Sequence, residues 1–574
     1  MSALDALDEE QRAAARVLRG PVAVLAGAGS GKTRVITHRI AHGVDVGAFT
    51  PNRVMALTFT TKAAGELRGR LRALGTNGVQ ARTFHSAALA QLNYFWPIVA
   101  KGDPAPAILD GKVRLLAQAA EQLRLRPGPA TLRDIASQIE WRKTTMRSIE
   151  QFGELGRSVA EITPQALVDL MTAYEKLKDE RRQIDFEDVL LVCAGMIEAE
   201  AQVARAVREQ YRHFTVDEYQ DVSPLQNHLL DLWVGQRGDL CVVGDASQTI
   251  YSFAGADPVF LQTFERRHPD ATVVRLQRNY RSRAPIIAAA NALMAAQPGA
   301  LRLRAVSTAP GETPQVRRYD DERAEAEGVA AAVARQLGQA KPSEIAVLYR
   351  SHAQSAELQQ ALARRGIPTT VLGGRRFFDL PEVQQAIRAL RAAAVAPQSG
   401  QTTLVDAVRD VLRGLGYTDE APTAGGAVRD AWEARRALLQ LAENADEGTV
   451  LRVFADDLMA RAKDQHEPTL ATVTLATLHA AKGLEWPHVH LAGMAEGLLP
   501  ISYATTKEAI DEERRLAYVG ITRAEQTLSM SWAAGQGRRQ RVWSRFLQEM
   551  SLQELGTGIP DEPDAHSTAP VRPE

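Results

Sequence analysis

One short segment near the amino terminus constrains the fold of this chain more than any other. Residues 22–37 read VAVLAGAGSGKTRVIT, an apolar run followed by a glycine-rich turn and a stretch that favours a helix. The turn, AGAGSGKT, matches the phosphate-binding pattern A-x-x-x-x-G-K-T, in which small residues let consecutive backbone N–H groups and a helix N-terminus face one anion. Lys32 is expected to reach the β- and γ-phosphates of a nucleotide, and Thr33 to hold Mg²⁺. This segment predicts a nucleotide-binding α/β domain.

Composition limits the remaining possibilities. A chain of 574 residues with 45% hydrophobic content predicts about three or four domains, each with its own core. The charges nearly cancel, with a net charge of -1, so any nucleic-acid binding must be local. Cys193 and Cys241 are too few for a zinc site or a disulfide framework, which fits a reducing cytoplasm. We find no secretory leader and no apolar run long enough for a membrane span.

A later apolar strand ends in two carboxylates. Residues 214–218 read FTVDE. In this position Asp217 would hold Mg²⁺ through water, and Glu218 would orient or deprotonate an attacking water. An acidic pair can also be a solvated strand end, but after a phosphate loop the catalytic interpretation is favoured.

A third buried strand is predicted at residues 240–245, LCVVGD, and it leads into ASQTIYSFAGADP. In that segment Gln248 is placed to sense a γ-phosphate, whereas Tyr251 and Phe253 are placed to stack on bases. One segment would therefore connect the nucleotide to a nucleic acid.

Other candidate positions carry less information individually. Gln11, just upstream of the phosphate loop, would read the adenine edge, although a surface glutamine is the commoner explanation. Phe84 and His85 would stack on or hydrogen-bond to a base, although such a pair more often packs in a core. Tyr280 and Arg281 are adjacent, which suits stacking on adenine and a bidentate guanidinium–phosphate contact.

The pattern of strands and helices predicts two α/β units, each interrupted by a helical insertion. Residues 511–524 predict an arginine-rich helix, which is either a solvated face or the source of an arginine finger. The proline-rich, acidic end predicts a disordered tail or linker. The expected boundaries are 1–95 and 185–275 for the first unit, 96–184 for its insertion, 276–395 and 468–555 for the second unit, 396–467 for its short insertion, and 556–574 for the tail.

From about residue 4 to residue 548, the chain resembles the UvrD/Rep/PcrA group of superfamily 1 DNA helicases. The resemblance implies two RecA-like P-loop motor domains. Its motifs occur in the family order: AGAGSGKT (I), LTFTTKAAGEL (Ia), TFHS (Ib), VDEYQD (II), VVGDASQTIYSFAGA (III), LQRNYRS (IV), TLHAAKGLEW (V) and ERRLAYVGITRA (VI).

Site residues are implied by the same resemblance. Lys32, Glu218 and Gln248 would act on the phosphates, and Arg281 and Arg523 would neutralise charge on the transferred phosphoryl group. The implied nucleotide-binding residues are Gln11, Ala28, Gly29, Ser30, Gly31, Lys32, Thr33, Tyr280 and Glu485, with Thr33 and Asp217 at Mg²⁺. The implied DNA-binding residues are Phe59, Thr60, His85, Tyr251, Phe253 and His479.

The function implied is that of an ATP-dependent 3′–5′ single-stranded DNA translocase and helicase of DNA repair or replication. Because Lys32 and Arg523 fall in different predicted units, closure around ATP and reopening on hydrolysis would drive movement along DNA. The implied partners are single-stranded and forked DNA and repair or replication proteins. We expect a monomer or weak dimer in the cytoplasm, associated with the nucleoid, and no membrane partner.

Several positions depart from the family pattern. Thr61 stands where relatives usually have Asn, and the usual W-R-G-A of motif III is Phe253-Ala254-Gly255-Ala256, which lacks the arginine. The stretch after motif VI is short and offers only Trp543 as an aromatic pin. An alternative function is therefore a DNA-stimulated ATPase that strips proteins from DNA with little unwinding. Some actinobacterial relatives carry further C-terminal modules, and the linker-like end suggests that one is missing here.

Overall fold

The structure is a computed structural model that describes residues 3–372, 377–395, 403–422, 427–443, 445–446, 448–463, 472–535, 540–552 and 554–555. Contacts divide the chain into two compact units. The first unit comprises Met1–Pro310, Gly416–Glu433 and Thr505–Thr522, and the second comprises Gly311–Leu415, Ala434–Ala504 and Arg523–Glu574. Among the described residues, no helix is both long enough and apolar enough to cross a bilayer. The predicted tail, residues 556–574, lies outside the described residues.

A six-stranded parallel sheet forms the centre of the first unit, in the order β3-β2-β6-β7-β1-β8. Its strands read as continuous apolar runs because helices cover both faces of the sheet, and each face has its own core cluster. The strands of this unit, including two short pairs, are β1 (Val22–Ala26), β2 (Val54–Thr58), β3 (Gln80–Thr83), β4 (Ala107–Ile108), β5 (Gln183–Ile184), β6 (His213–Val216), β7 (Leu240–Gly244), β8 (Thr272–Leu276), β9 (Arg278–Asn279) and β10 (Arg304–Ala305).

Helices surround this sheet and form the first insertion. Helix α1 begins after Asp8, whose carboxylate accepts the Gln11 N–H at 2.8 Å. The helices of Met1–Pro310 are α1 (Glu9–Arg16), α2 (Lys32–Asp45), α3 (Thr61–Ala73), α4 (Phe84–Val99), α5 (Lys112–Gln122), α6 (Pro129–Thr144), α7 (Ile149–Gly153), α8 (Pro164–Glu180), α9 (Phe186–Ala199), α10 (Ala201–Gln210), α11 (Pro224–Val234), α12 (Val259–Gln262), α13 (Phe264–Arg267) and α14 (Ala284–Met294).

The first insertion, α5 to α8, packs around a core of its own that includes Leu116, Ile135, Leu170 and Tyr174. This segment was predicted to be helical. The structure adds a short strand pair, because the two-residue strands β4 and β5, which precede α5 and follow α8 in the sequence, pair in parallel.

A seven-stranded parallel sheet forms the centre of the second unit, and its strands have the order β13-β14-β12-β15-β16-β11-β17. The two parallel sheets confirm the predicted α/β class. The strands are β11 (Gln315–Tyr319), β12 (Ile345–Tyr349), β13 (Thr369–Leu372), β14 (Val473–Thr477), β15 (Trp486–Leu491), β16 (Ala524–Ala533) and β17 (Glu554–Leu555). The remaining helices of the chain are α15 (Glu322–Gln336), α16 (Ser355–Arg364), α17 (Pro381–Val395), α18 (Leu404–Gly414), α19 (Ala427–Glu443), α20 (Leu451–Lys463), α21 (Lys507–Ile521) and α22 (Arg545–Glu549).

The arginine-rich helix predicted over residues 511–524 is α21, but it ends earlier than predicted. It stops at Ile521, and the Thr522 hydroxyl donates back to the Tyr518 carbonyl at 2.8 Å. Arg523 therefore lies between the helix and β16 rather than on the helix. The predicted boundary at residue 275 also differs from the contact division, which keeps residues up to Pro310 in the first unit.

Candidate functional site

The phosphate loop connects β1, which ends at Ala26, to α2, which begins at Lys32. Gly31 and Gly29 both have positive φ, at 85° and 64°, a region that favours glycine. A Cβ on Gly29 would also lie 2.5 Å from the Asn279 side-chain nitrogen. No side chain caps α2, so the backbone N–H groups of its first turn, together with the loop, offer donors to an anion.

The acidic pair follows β6 directly and reaches the loop lysine. One oxygen of the Glu218 carboxylate lies 3.0 Å from the Lys32 Nζ. Glu218 itself has a left-handed backbone, with φ 52°, which aims its side chain away from the path of the strand. The Gln220 amide donates to the same carboxylate. The strand end thus presents an acid to the phosphate loop.

The charges of Asp217, Glu218 and Lys32 shift one another's pKa values. Burial and the neighbouring Glu218 charge raise the pKa of Asp217 to about 7. Burial by itself would lower the pKa of Lys32, but the carboxylates of Glu218, Asp245 and Asp217 outweigh burial and raise that pKa. The site holds excess negative charge, which a cation would relieve.

Thr33, in the first turn of α2, and Asp217, directly after β6, fit a hard divalent cation. The Thr33 hydroxyl and the Asp217 carboxylate offer oxygen donors, which Mg²⁺ prefers, and Mg²⁺ usually completes its shell with water and phosphate. Among the described residues there is no cluster of three or more His, Cys, Asp or Glu that could hold a metal ion by itself.

Gln248 lies in the same unit as this pair, after β7. Its side-chain amide donates to Asp245 at 2.7 Å, and the backbone N–H of Asp245 donates to Gln220 at 3.0 Å. Gln220 in turn contacts Glu218. A continuous set of hydrogen bonds therefore runs from the Glu218 carboxylate, through Gln220 and Asp245, to Gln248.

The two residues predicted at adenine also lie beside the phosphate loop. Gln11 is buried, and its amide donates to the Ser30 carbonyl at 3.0 Å. The backbone N–H of Tyr280 donates to the Gly29 carbonyl at 2.9 Å, and its hydroxyl donates to Asp8. The Tyr280 ring remains 46% exposed. Both therefore reach the loop from elements distant in sequence.

Arg281 follows Tyr280 and lies in the same contact unit as Lys32. Its guanidinium donates to the Thr522 carbonyl at 3.1 Å, and its backbone N–H donates to Asn279 at 3.1 Å. The sequence analysis had assigned Arg281 to the second unit.

Three predicted residues belong to the second unit. Arg523 is buried there, and its guanidinium donates to the Leu484 carbonyl at 3.0 Å, next to the exposed Glu485. His479 lies in the turn after β14, where burial, with Arg350 and Lys482 nearby, lowers its pKa to about 3. The roles predicted for Arg523, Glu485 and His479 stay predictions.

The predicted aromatic residues of the first unit form one group. The rings of Phe59 and Tyr251 stack with centroids 5.3 Å apart and planes at 13°, and Phe253 meets Tyr251 edge-on at 6.1 Å. Phe59 is 44% exposed and Phe253 65% exposed. Thr60, next to Phe59, caps α3 through the Ala63 N–H at 3.1 Å. Partly exposed, stacked rings of this kind suit unpaired bases.

His85 stacks on a residue that the sequence analysis did not select. Its ring lies 4.0 Å from that of Phe186, nearly parallel at 8°. Phe186 is exposed, whereas burial and the Lys112 charge lower the pKa of His85 to about 4. His85 is therefore neutral at pH 7 and would not act as a cation toward phosphate.

Other residues at the site were also missed, although three of them lie inside recognised motifs. Asn279 is fully buried, donates to the Ala28 carbonyl at 2.8 Å and accepts the Ser282 N–H at 2.7 Å. Gln220 lies two positions after the catalytic candidate Glu218. Their positions in motifs IV and II were the available signal. Arg515 lies inside motif VI, so the same signal was available for it. Glu512, one residue before that motif, gave no comparable signal, because it is an ordinary residue of a charged helix.

Comparison with known families agrees with this fold. The UvrD/REP helicase N-terminal domain matches residues 7–269, and the UvrD-like helicase C-terminal domain matches residues 274–412 and 431–535. The chain therefore belongs to the UvrD/REP helicase family, as the motif order had indicated.

Particular relatives are similar along most of their length. The chain is 44% identical to the ATP-dependent DNA helicase UvrD2 of Mycobacterium tuberculosis, over 96% of this chain and 83% of that protein. It is 30% identical to the ATP-dependent DNA helicase UvrD1 of Mycobacterium bovis, over 99% of this chain and 88% of that protein. It is 28% identical to the ATP-dependent DNA helicase PcrA of Bacillus subtilis, over 92% of this chain and 83% of that protein.

Proposed function

We propose that this protein is an ATP-dependent 3′–5′ single-stranded DNA translocase and DNA helicase that acts in DNA repair or replication. The observation that carries the proposal is the segment 245–255, which begins at the hydrogen bonds of the phosphate site and continues into the stacked aromatic group. Similarity to three named DNA helicases supports DNA as the substrate. The proposed 3′–5′ direction of movement rests on the family resemblance.

At the nucleotide, Thr33 and Asp217 would hold Mg²⁺, which supplies positive charge to the phosphoryl groups. Lys32 is paired with Glu218 in this structure. We expect Lys32 to exchange that carboxylate for the phosphates of ATP, because phosphates offer it more negative charge. Glu218 would then be available to orient and deprotonate the attacking water.

At the nucleic acid, Phe59, Tyr251 and Phe253 would stack on successive bases, with Phe186 and His85 as a second stacked pair. Base–aromatic stacking contributes about 1–3 kcal/mol per base and tolerates any sequence. The net charge of -1 offers no broad electrostatic attraction, so stacking would supply a larger share of affinity than in a strongly basic protein.

The test is the rate of ATP hydrolysis with an oligo(dT), with an oligo(rU) and with no nucleic acid, over 50–200 mM salt. We expect oligo(dT) to raise the rate at least about tenfold, and salt to weaken the stimulation. An equal rate in all three conditions would contradict a DNA motor and would leave a plain nucleotide hydrolase.

A second candidate function is a translocase that strips proteins from DNA with little unwinding. The observation that favours it is Ala254, which puts a methyl group in the exposed loop where the family motif usually has an arginine. Forked-duplex unwinding and single-strand translocation, measured on one preparation, would separate the two. Translocation without unwinding would favour the second candidate.

The proposed setting is the bacterial cytoplasm, in association with the nucleoid, as a monomer or weak dimer. Repair or replication proteins are the proposed protein partners, by analogy with DNA helicases in general. Sedimentation with and without a forked DNA would test the proposed oligomeric state.

A further inference from the structure

The loop 249–255 carries Tyr251 and Phe253 of the aromatic group, and helix α21 holds one side of it. The Ser252 backbone N–H donates to the Glu512 carboxylate at 3.0 Å. The Arg515 guanidinium donates to the Thr249 carbonyl at 2.7 Å. These contacts hold the loop at Thr249 and Ser252. A different element contacts residues 254 and 255.

That other element is the C-terminal turn of α6, in the first helical insertion. The Thr144 hydroxyl lies 3.2 Å from the Ala254 carbonyl oxygen, and also 2.9 Å from the Glu140 carbonyl of its own helix. Gly255 packs directly on Thr144, so closely that a Cβ at position 255 would collide with the Thr144 hydroxyl. The insertion therefore touches the loop by close packing as well as through a polar contact.

A buried ion cluster fixes the end of α6. Lys143 precedes Thr144 and is 2% exposed, and its Nζ lies 2.7 Å from both Asp185 and Asp188 and 3.1 Å from Glu175. Lys178 contacts the same three carboxylates. Such a cluster is costly to desolvate, and it is satisfied in one arrangement only. It ties α6 and α8 of the insertion to α9.

The same cluster reaches the second pair of rings. Asp185 caps α9, accepting the Asp188 N–H at 3.2 Å, and Phe186 is the next residue. Phe186 stacks on His85. One cluster thus sets the end of α6, which touches the loop, and the start of α9, which bears Phe186.

We propose that the C-terminal turn of α6 is a positioning element for the DNA-contacting loop, with Thr144 as its contact residue and the Lys143 cluster as its anchor. This rests on the proposed function. In this role Thr144 acts through the loop and not by contact with nucleotide or DNA. It limits the positions that Tyr251 and Phe253 adopt, and it therefore sets how effectively DNA stimulates ATP hydrolysis.

The test compares Thr144→Val, which keeps the shape and removes the hydroxyl, with Thr144→Ser and Thr145→Val. The Thr145 hydroxyl donates only within α6, to the Trp141 and Arg142 carbonyls, so Thr145→Val is the matched control. We expect Thr144→Val to raise the oligo(dT) concentration for half-maximal stimulation about three- to tenfold, with unchanged basal ATP hydrolysis and melting temperature. Thr144→Ser and Thr145→Val should match the wild type.

Gly255→Ala provides a second measurement, which adds the strain of a side chain at φ 90° to the collision with Thr144. It should reduce stimulation more than Thr144→Val does, and Thr144→Ala should restore part of it in the double variant, because the colliding hydroxyl is removed. Wild-type stimulation in Thr144→Val, or equal loss of basal and stimulated rates with a lower melting temperature, would overturn the positioning role. If DNA fails to stimulate the wild type, the proposed function falls and the positioning role falls with it.

Discussion

Glu218 adopts a left-handed backbone conformation that costs a residue with a side chain about 1–2 kcal/mol. Local hydrogen bonds offset this cost. Its backbone N–H donates to Asp217 at 2.9 Å, and its carbonyl accepts the Asp221 N–H at 2.9 Å. The conformation brings the carboxylate to Lys32, so the strain occurs where the predicted chemistry needs it.

We expect Glu218→Gln to lower the rate of ATP turnover at least about 100-fold while nucleotide binding persists, because the amide keeps the shape but cannot accept a proton. Turnover and binding of a labelled ATP analogue would be measured on the same preparation. Glu198→Gln, an exposed glutamate paired with His228, is the control and should behave as wild type. Turnover retained in Glu218→Gln would refute the assignment.

Asn279 supports the loop from a neighbouring segment, through one bond to Ala28 and two to the residues that follow it. Asn279→Ala removes all three and leaves buried groups unpaired. We expect KM for ATP to rise about tenfold or more.

A buried asparagine in α11, whose hydrogen bonds go to Tyr219 and Asp231, serves as a control for Asn279. Asn227 accepts from Tyr219 at 2.6 Å and donates to Asp231 at 2.9 Å. Asn227→Ala should lower the melting temperature and leave KM for ATP unchanged. A similar rise in KM in both variants would indicate general destabilisation rather than loop support.

At the scale of secondary-structure elements, insertion helix α6 contacts the first turn of α19. The backbone N–H of Val428 donates to the Asp134 carboxylate at 2.7 Å, and the N–H of Ala427 donates to the same group. A carboxylate at a helix N-terminus satisfies free N–H groups and interacts well with the helix dipole. This contact helps to explain why Gly416–Glu433 clusters with the first unit.

We expect Asp134→Ala to expose the first turn of α19, at a local cost of about 1 kcal/mol. Amide hydrogen exchange at residues 427–431 should become about fivefold faster, because that free energy sets the local opening equilibrium. Asp169→Ala, at an exposed position of α8, is the control. Unchanged exchange in Asp134→Ala would show that the cap contributes nothing in solution.

At the scale of the whole molecule, buried histidines occur in both units. Burial lowers the pKa of His213 and His490 to about 4, whereas the ordinary value is 6.5. The unfolded chain therefore binds more protons than the folded protein between pH 6.5 and pH 4. Stability is fully present above this window and falls as pH drops through it.

We expect the melting temperature to fall between pH 7 and pH 5, and the free energy of unfolding to lose about 1 kcal/mol at pH 5.5 through His490 alone. His490 bonds to Gln336 at 2.9 Å and to Ser529 at 2.6 Å, so His490→Gln retains part of this bonding and cannot titrate. The variant should lose less stability on acidification. An identical pH profile in variant and wild type would contradict this origin.

The sequence by itself determined the elements that local chemistry specifies. Glycines with positive φ, a lysine at a helix start and carboxylates at a strand end depend on neighbours along the chain, so residues 22–37 and 214–218 were readable in isolation. Alternation between apolar strands and helices likewise predicted two α/β units. Motif order supplied the family.

Only the tertiary structure decided which distant residues meet. Asn279 reaches the phosphate loop, Thr144 reaches Gly255, and Asp134 caps α19, although each pair is separated by more than 100 residues. No periodicity or spacing encodes such contacts, because they arise from the packing of elements whose own sequences are ordinary. The end of α21 was also visible only in the structure, because the predicted helix runs to residue 524 whereas the observed helix ends at Ile521.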